Sequence, residues 1–242
     1  MIPKLIVANW KMAVDLDAVR AFECEWNDCP EVTTADVVVA PPAVFVQQAA
    51  ALLGVSLCGQ DVSIHSGGAH TGEVSAAMLK ALGCRYGIVG HSERRSGHGE
   101  TNAVIAQKAL RLETEGLRPI ICVGESLLER QSGGAESLIA TQVTESCRGL
   151  SAVPIIAYEP VWAIGSGESA SPNDVVVMHR HIKRTLDRAF AADVPVLYGG
   201  SVNPENCTQF TVHPEVNGLL VGGASLHARQ FWNMCTSVGG QR

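Results

Sequence analysis

Residues 155–161 read IIAYEPV: four apolar residues in a row, then an acid and a proline. Unbroken apolarity over so short a span suits a strand buried on both faces, as in a parallel sheet covered by helices. Working outward, the same signal recurs at 5–8, 37–40, 55–59, 87–89, 120–123, 196–198 and 218–221. Between these runs, 43–53, 101–115 and 174–191 are rich in helix formers. Pro172-Asn173-Asp174 and Pro204-Glu205-Asn206 carry helix-start chemistry, and Gly54, Gly83 and Gly116 stand where helices should stop. Eight strands alternating with helices predict an α/β protein with a parallel sheet, closed as a single (β/α)8 barrel over residues 1–242. An open doubly wound sheet is the alternative that the same periodicity allows.

Composition narrows the function. The chain of 242 residues fits the roughly 200–250 that such a barrel uses as one domain. It is 46% hydrophobic and 17% charged, enough to bury a large core and too apolar for a disordered chain. Net charge is −6 without a Lys/Arg run, which argues against nucleic acid and acidic membranes as partners. No apolar stretch approaches the roughly 18 residues of a membrane span. The opening MIPKLIVANWK reaches Asn9, Trp10 and Lys11 too soon for a secretory apolar segment. The eight cysteines form no C-x-x-C and no zinc spacing, so reduced thiols and a cytoplasmic location are expected, with no metal.

In barrels of this kind active sites gather at the C-terminal ends of the strands. Just past the predicted strands come Asn9 and Lys11, Gln60-Asp61, His91-Ser92-Glu93, Glu159-Pro160, Gly199-Gly200-Ser201 and Gly222-Gly223. Singly, each has an ordinary reading as a surface charge, a structural histidine, a cap or a turn. Together, a carboxylate base, a cation, an imidazole and glycine-rich loops on one rim make an acid–base site with an anion pocket. Bare backbone N–H groups in the loops after the seventh and eighth strands suit a phosphate. His179 and His181, two apart on a predicted helix, lie on different faces and are poor metal ligands.

The segments ANWKM (8–12), TGEVS (71–75), GHSERR (90–95), CVGE (122–125), AYEPVWAIGSG (157–167), YGGSV (198–202) and LVGGASL (220–226) resemble the triosephosphate isomerase family, in order and along the whole chain. The resemblance implies a TIM barrel that interconverts dihydroxyacetone phosphate and glyceraldehyde 3-phosphate without a cofactor, in glycolysis and gluconeogenesis. Another phosphate-binding barrel isomerase is the alternative. By resemblance, Glu159 is the base and His91 the electrophile; the start of the helix predicted after His91, nearby Lys11 and burial are expected to lower its pKa and keep it a neutral imidazole. Lys11 stabilises the negative transition state and helps hold the phosphate. Asn9 donates to a substrate oxygen, Glu93 orients Lys11, and Ser92 holds Glu159 in an open form. Gly165, Ser201, Gly222 and Gly223 bind the phosphate, and Trp162 to Ala170 form a lid. The same resemblance implies a homodimer, with the loop at 66–74 reaching the partner and Thr71 approaching its Asn9 and Lys11.

This sequence also departs from the family pattern. Ala8 replaces a frequent Gly, and Ser166 and Glu168 stand where Thr and Lys are common. His70 occupies a position of the interface loop that is usually an aromatic hydrocarbon. Lys183 and Asn217 stand where the family often has an Arg–Asp pair, so that ion pair is expected to be lost.

Overall fold

The computed structural model describes residues 4–163, 170–190 and 192–238. Among these, eight strands form one closed, parallel barrel: β1 (Lys4–Asn9), β2 (Ala35–Ala40), β3 (Ser56–Gly59), β4 (Cys84–Val89), β5 (Arg118–Val123), β6 (Ile155–Tyr158), β7 (Val196–Tyr198) and β8 (Gly218–Val221). Each strand pairs with its neighbour in the chain, and β8 returns to β1 in the register Leu5↔Gly218 to Ala8↔Val221. That last pairing removes both sheet edges and excludes the open doubly wound sheet.

Side-chain alternation divides the apolar residues into two layers. Val7, Val38, Cys58, Ile88, Ile120, Cys122, Ala157, Leu197 and Leu220 fill the barrel. Ile6, Ala8, Val37, Val39, Ile121 and Ile156 point outward and pack with helix residues such as Phe22, Ile105, Ile139, Ile182 and Phe231. Both strand faces are therefore dry, which is why the strands read as apolar runs.

Strands β2, β4 and β5 begin two or three residues earlier than the apolar runs suggest. Their first turns carry polar residues: exposed Asp36 and Arg85, and Arg118, whose Nε donates to Val153 O at 3.1 Å. At the N-terminal mouth of the barrel these side chains reach solvent, so the run is interrupted without the strand ending. The helix expected over 43–53 is a 3-10 turn Ala43–Phe45 followed by one helical turn, Val46–Ala49, with a break at Phe45 (φ −114°, ψ 4°). The helix after Pro204 starts only at Cys207, because Asn203 Oδ1 accepts from the N–H groups of Glu205 (3.1 Å) and Asn206 (3.0 Å) and holds a turn there. The helix Pro172–Leu186 has the expected start, with Pro172 in its first turn and Ser171 Oγ accepting from Asp174 N–H at 3.2 Å. It stops short of residue 191.

The two positions of the expected lost ion pair are not joined to each other. Lys183 Nζ pairs with Asp193 Oδ2 at 2.7 Å. Asn217 Oδ1 accepts from Val196 N–H at 2.9 Å and its carbonyl from Leu5 N–H at 3.0 Å, stitching β7 and β1 to the start of β8. Among the described residues, no helix is long and apolar enough to cross a membrane.

His179, in the helix Pro172–Leu186, is fully buried, with Nδ1 3.2 Å from Glu215 O and its ring edge-on to Tyr158. Among the described residues its Nε2 has no hydrogen-bond partner. Burial pushes its pKa down to about 3. The unfolded chain therefore takes up this proton first as pH falls, and the folded state loses stability below about pH 6.5. At about 1.4 kcal/mol per unit the loss approaches about 4 kcal/mol near pH 3. Urea unfolding between pH 7 and 4 should show a steeper acid decline for the parent than for His179→Asn, which keeps a donor near Nδ1 but cannot titrate. Parallel curves would refute this.

Candidate active site

The C-terminal ends of β1, β4, β6, β7 and β8 enclose a cavity of about 290 Å³, lined by Asn9, Lys11, His91, Glu159, Ser201, Gly222 and Gly223 among others. Closure of the barrel brings these residues together from most of the chain's length. Glu93 stands at the edge and pairs with Lys11, Nζ to Oε1 at 2.5 Å. Gly165, Ser166 and Glu168 lie outside the described residues, as does most of the lid expected over 162–170.

Glu159 follows β6 directly and is 2% exposed. Its Oε2 accepts the Ser92 N–H at 2.9 Å and its Oε1 lies 3.0 Å from His91 Nε2. Ser92 thus holds the carboxylate through its backbone. Gly124, after β5, lets the chain come this close: a Cβ there would sit 1.8 Å from Glu159 O.

His91 caps the helix Ser92–Gly97, its Nδ1 accepting from Glu93 N–H at 3.2 Å. With Nδ1 an acceptor, the network assigns the ring proton to Nε2, facing Glu159. Burial and Lys11 push the pKa of His91 down, as the sequence suggested, but the charge and hydrogen bond of Glu159 outweigh them and leave it raised. The expectation of a lowered pKa left out this carboxylate. Burial pushes the Glu159 pKa up, while His91, the Ser92 N–H and Lys11 together hold it below the usual carboxylate range. The pair therefore stores a charged carboxylate in a dry pocket.

Lys11 has φ +51°, the one non-glycine with positive φ among the described residues. Such strain persists only where neighbours over-determine it. Here the Lys11 N–H donates to Asn9 Oδ1 at 3.0 Å, and Gln60 Nε2 donates to Lys11 O and Ala40 O, both at 2.8 Å. Gln60 was visible in the sequence only as a polar residue after a strand; its task of clamping Lys11 was not.

Glu125 was also missed. It is fully buried, and its Oε1 accepts from Tyr158 Oη and Trp162 Nε1, each at 3.0 Å. Ala170 N–H donates to Tyr198 Oη at 3.3 Å. Both flanks of 164–169 are thus tied to the barrel by buried side chains. Only the acid in CVGE hinted at this, because an acid amid apolar residues needs a partner when buried.

The glycine loops present backbone to the cavity. Gly222 caps the 3-10 turn Gly223–Ser225, so both glycines contribute to a helical first turn, where N–H groups lack intrahelical acceptors. Ser201 differs: its N–H and Oγ both donate to Ala163 O, at 3.0 and 2.6 Å, so an anion must displace that carbonyl to use its N–H.

A sequence model of the triosephosphate isomerase family matches residues 4–238. The chain is 45% identical to triosephosphate isomerase of Herpetosiphon aurantiacus over 239 residues, covering 94% of this chain and 96% of that protein. It is 45% identical over 238 residues to that of Thermus thermophilus, covering 94% and 95%. The enzyme of Acidiphilium cryptum is 43% identical over 244 residues, covering 95% and 96%.

Proposed function

The chain belongs to the triosephosphate isomerase family, and we infer that it interconverts dihydroxyacetone phosphate and D-glyceraldehyde 3-phosphate by moving a proton between adjacent carbons through an enediolate. That is the work of an aldose–ketose isomerase of glycolysis and gluconeogenesis. The observation that carries the residue-level reading is the buried Glu159 carboxylate beside His91, with Lys11 and Asn9 lining the same cavity.

In this reading Glu159 takes the proton from the carbon next to the carbonyl and returns it to the neighbouring carbon. Such a carbon is a weak acid, so the base must be close and free of competing donors. The present hydrogen bonds from Ser92 and His91 keep Glu159 weakly basic. Substrate oxygen would take over the His91 Nε2–H and draw the carboxylate off the Ser92 amide. Burial then dominates and basicity rises as the reaction needs it. His91, Asn9 and Lys11 stabilise the negative charge that develops on the enediolate oxygens, in a site where water has been replaced by fixed donors. Without Glu159 beside it, His91 is left with burial, Lys11 and the helix start, which favour the neutral ring against the weaker opposing charge of Glu93, 3.6 Å from Nδ1. The phosphate rests on Gly222, Gly223, Ser201 and Gly165. The segment from Trp162 to Ala170 closes over it. The chemistry calls for no metal or organic cofactor.

Glu159→Gln preserves shape and removes basicity. Turnover should fall roughly a thousandfold with little change in KM, because a positioned base contributes about 10²–10⁴-fold. A variant keeping a tenth of parental turnover would sink the assignment. A Cβ on Gly223 meets nothing within 4 Å, so Gly223→Val should fold normally and project its methyls toward the anion. The inhibition constant of phosphoglycolate should rise at least tenfold; unchanged inhibition in a folded variant would remove Gly223 from the phosphate site.

The same reading makes the protein a cytoplasmic homodimer. A groove of about 740 Å³ opens beside the cavity, bordered by Lys11, Met12, Gln60, Glu73 and Glu93. Met12 at the groove is 95% exposed, an apolar side chain suited to cover by the loop 66–74 of a second copy, Thr71 included. His70, where an aromatic hydrocarbon was expected, stacks flat on His65 with ring centres 3.6 Å apart and so keeps an aromatic brace within the loop's base. Sedimentation should give a dimer at micromolar concentration; a fully active monomer would overturn this.

A further inference from the structure

Arg95 has no part in the chemistry above, yet its guanidinium is the most heavily bonded cation near it. Nε donates to Gly90 O at 2.9 Å and Nη2 to Cys122 O at 2.9 Å. Nη1 donates to Asn102 Oδ1 at 2.6 Å, and Nη2 also reaches Ser146 Oγ at 3.4 Å. Asn102 is held in turn by Glu145, its Nδ2 donating to Oε2 at 2.9 Å. One side chain thus joins the ends of β4 and β5 to the helices Asn102–Thr114 and Ala135–Ser146.

The two carbonyls stand where the β4–β5 ladder stops, while β5 stays paired with β6 through Val123↔Tyr158. The last β4–β5 pair is Val89↔Ile121. Beyond it Gly90 turns left-handed, φ +68°, and a Cβ there would lie 2.7 Å from Ile105 Cδ1. The ladder no longer determines the direction of the Gly90–His91 peptide; the bond from Arg95 does. His91 follows immediately, and its side-chain direction depends on that peptide plane. On β5, Val123 comes next after Cys122, and its carbonyl accepts the Glu159 N–H at 2.7 Å. The backbone that launches the imidazole and the backbone that supports the carboxylate are therefore pinned by the same planar group. A fork of five N–H donors in fixed geometry can do this; an ammonium on a flexible stem cannot.

We propose that Arg95 is a positioning residue for the isomerisation, setting the distance and angle between His91 and Glu159 by clamping the carbonyls of Gly90 and Cys122. This rests on the roles given above to His91 and Glu159. Its consequence is selective: the reacting pair is misplaced while the phosphate loops of β7 and β8, which Arg95 does not touch, keep their shape.

Arg95→Lys keeps the charge and loses the fork. Turnover should fall about 10- to 100-fold, the scale of a misplacement of about 1 Å. KM and the inhibition constant of phosphoglycolate should stay within about threefold, circular dichroism should show the parental fold, and the nitrogen-15 signals of His91 should move. Asn102→Ala, which removes the outer anchor, should cause a smaller loss of the same kind. A folded Arg95→Lys with turnover within twofold of the parent would overturn the proposal, as would KM rising in step with the loss. If Arg95→Lys fails to fold, Asn102→Ala decides: parental turnover and an unmoved His91 signal count against the clamp. Glu159→Gln, measured alongside, tests the underlying roles. Its inactivity together with an unaffected Arg95→Lys would remove the clamp and leave those roles standing.

Discussion

Leu5 to Ala8 lie alongside Gly218 to Val221, and this pairing of the first strand with the last turns a sheet into a barrel. Every parallel strand then ends at the same mouth, so residues that follow strands in the sequence become neighbours in space. Asn9, His91, Glu159, Ser201 and Gly222 line one cavity for this reason. The interior must be solid for the rim to be rigid, and Val7, Ile88, Ile120, Leu197 and Leu220 fill it without polar interruption.

On that rim, several groups are held in conformations or charge states they would not adopt alone. Lys11 is kept left-handed by Asn9 on one side and Gln60 on the other. Glu159 is buried, yet His91, Ser92 and Lys11 keep it charged. Each constraint costs free energy, and the packed barrel supplies it. A buried carboxylate kept charged by neighbouring donors becomes more basic when those donors move away. Trp162 and Ala170, on either side of 164–169, are held to the barrel by Glu125 and Tyr198.

Hydrogen bonds between side chains and the backbone recur as the means of positioning. Gln60 holds Lys11, Arg95 holds Gly90 and Cys122, and Asn217 holds the start of β8 against β1 and β7. Each acts at or near the end of a strand, where at least one neighbouring ladder has stopped. Such side chains have no acid or base role in this reading, yet Lys11 and His91 stand on or beside the segments they hold.

How much was legible in the sequence follows from the range of each signal. Strand cores such as 155–158 and 218–221 are local: a strand dry on both faces must be apolar throughout, and that shows in a few consecutive residues. The polar residues after the strands were legible for the same reason, and with them the groups that line the rim. The first turns of β2, β4 and β5 were not, because polar side chains at an open mouth look like the end of a strand. The Ser92–Glu159 contact joins residues 67 apart, and the Gln60 clamp spans 49. Contacts of that kind leave no periodicity, and they decided the raised pKa of His91, the strained Lys11 and the tethering of Trp162 to Glu125. The sequence by itself determined which chemical groups stand at the strand ends. Only the tertiary structure decided which of them touch, and with what charge, because burial and neighbouring charge are properties of the closed barrel and of no segment within it.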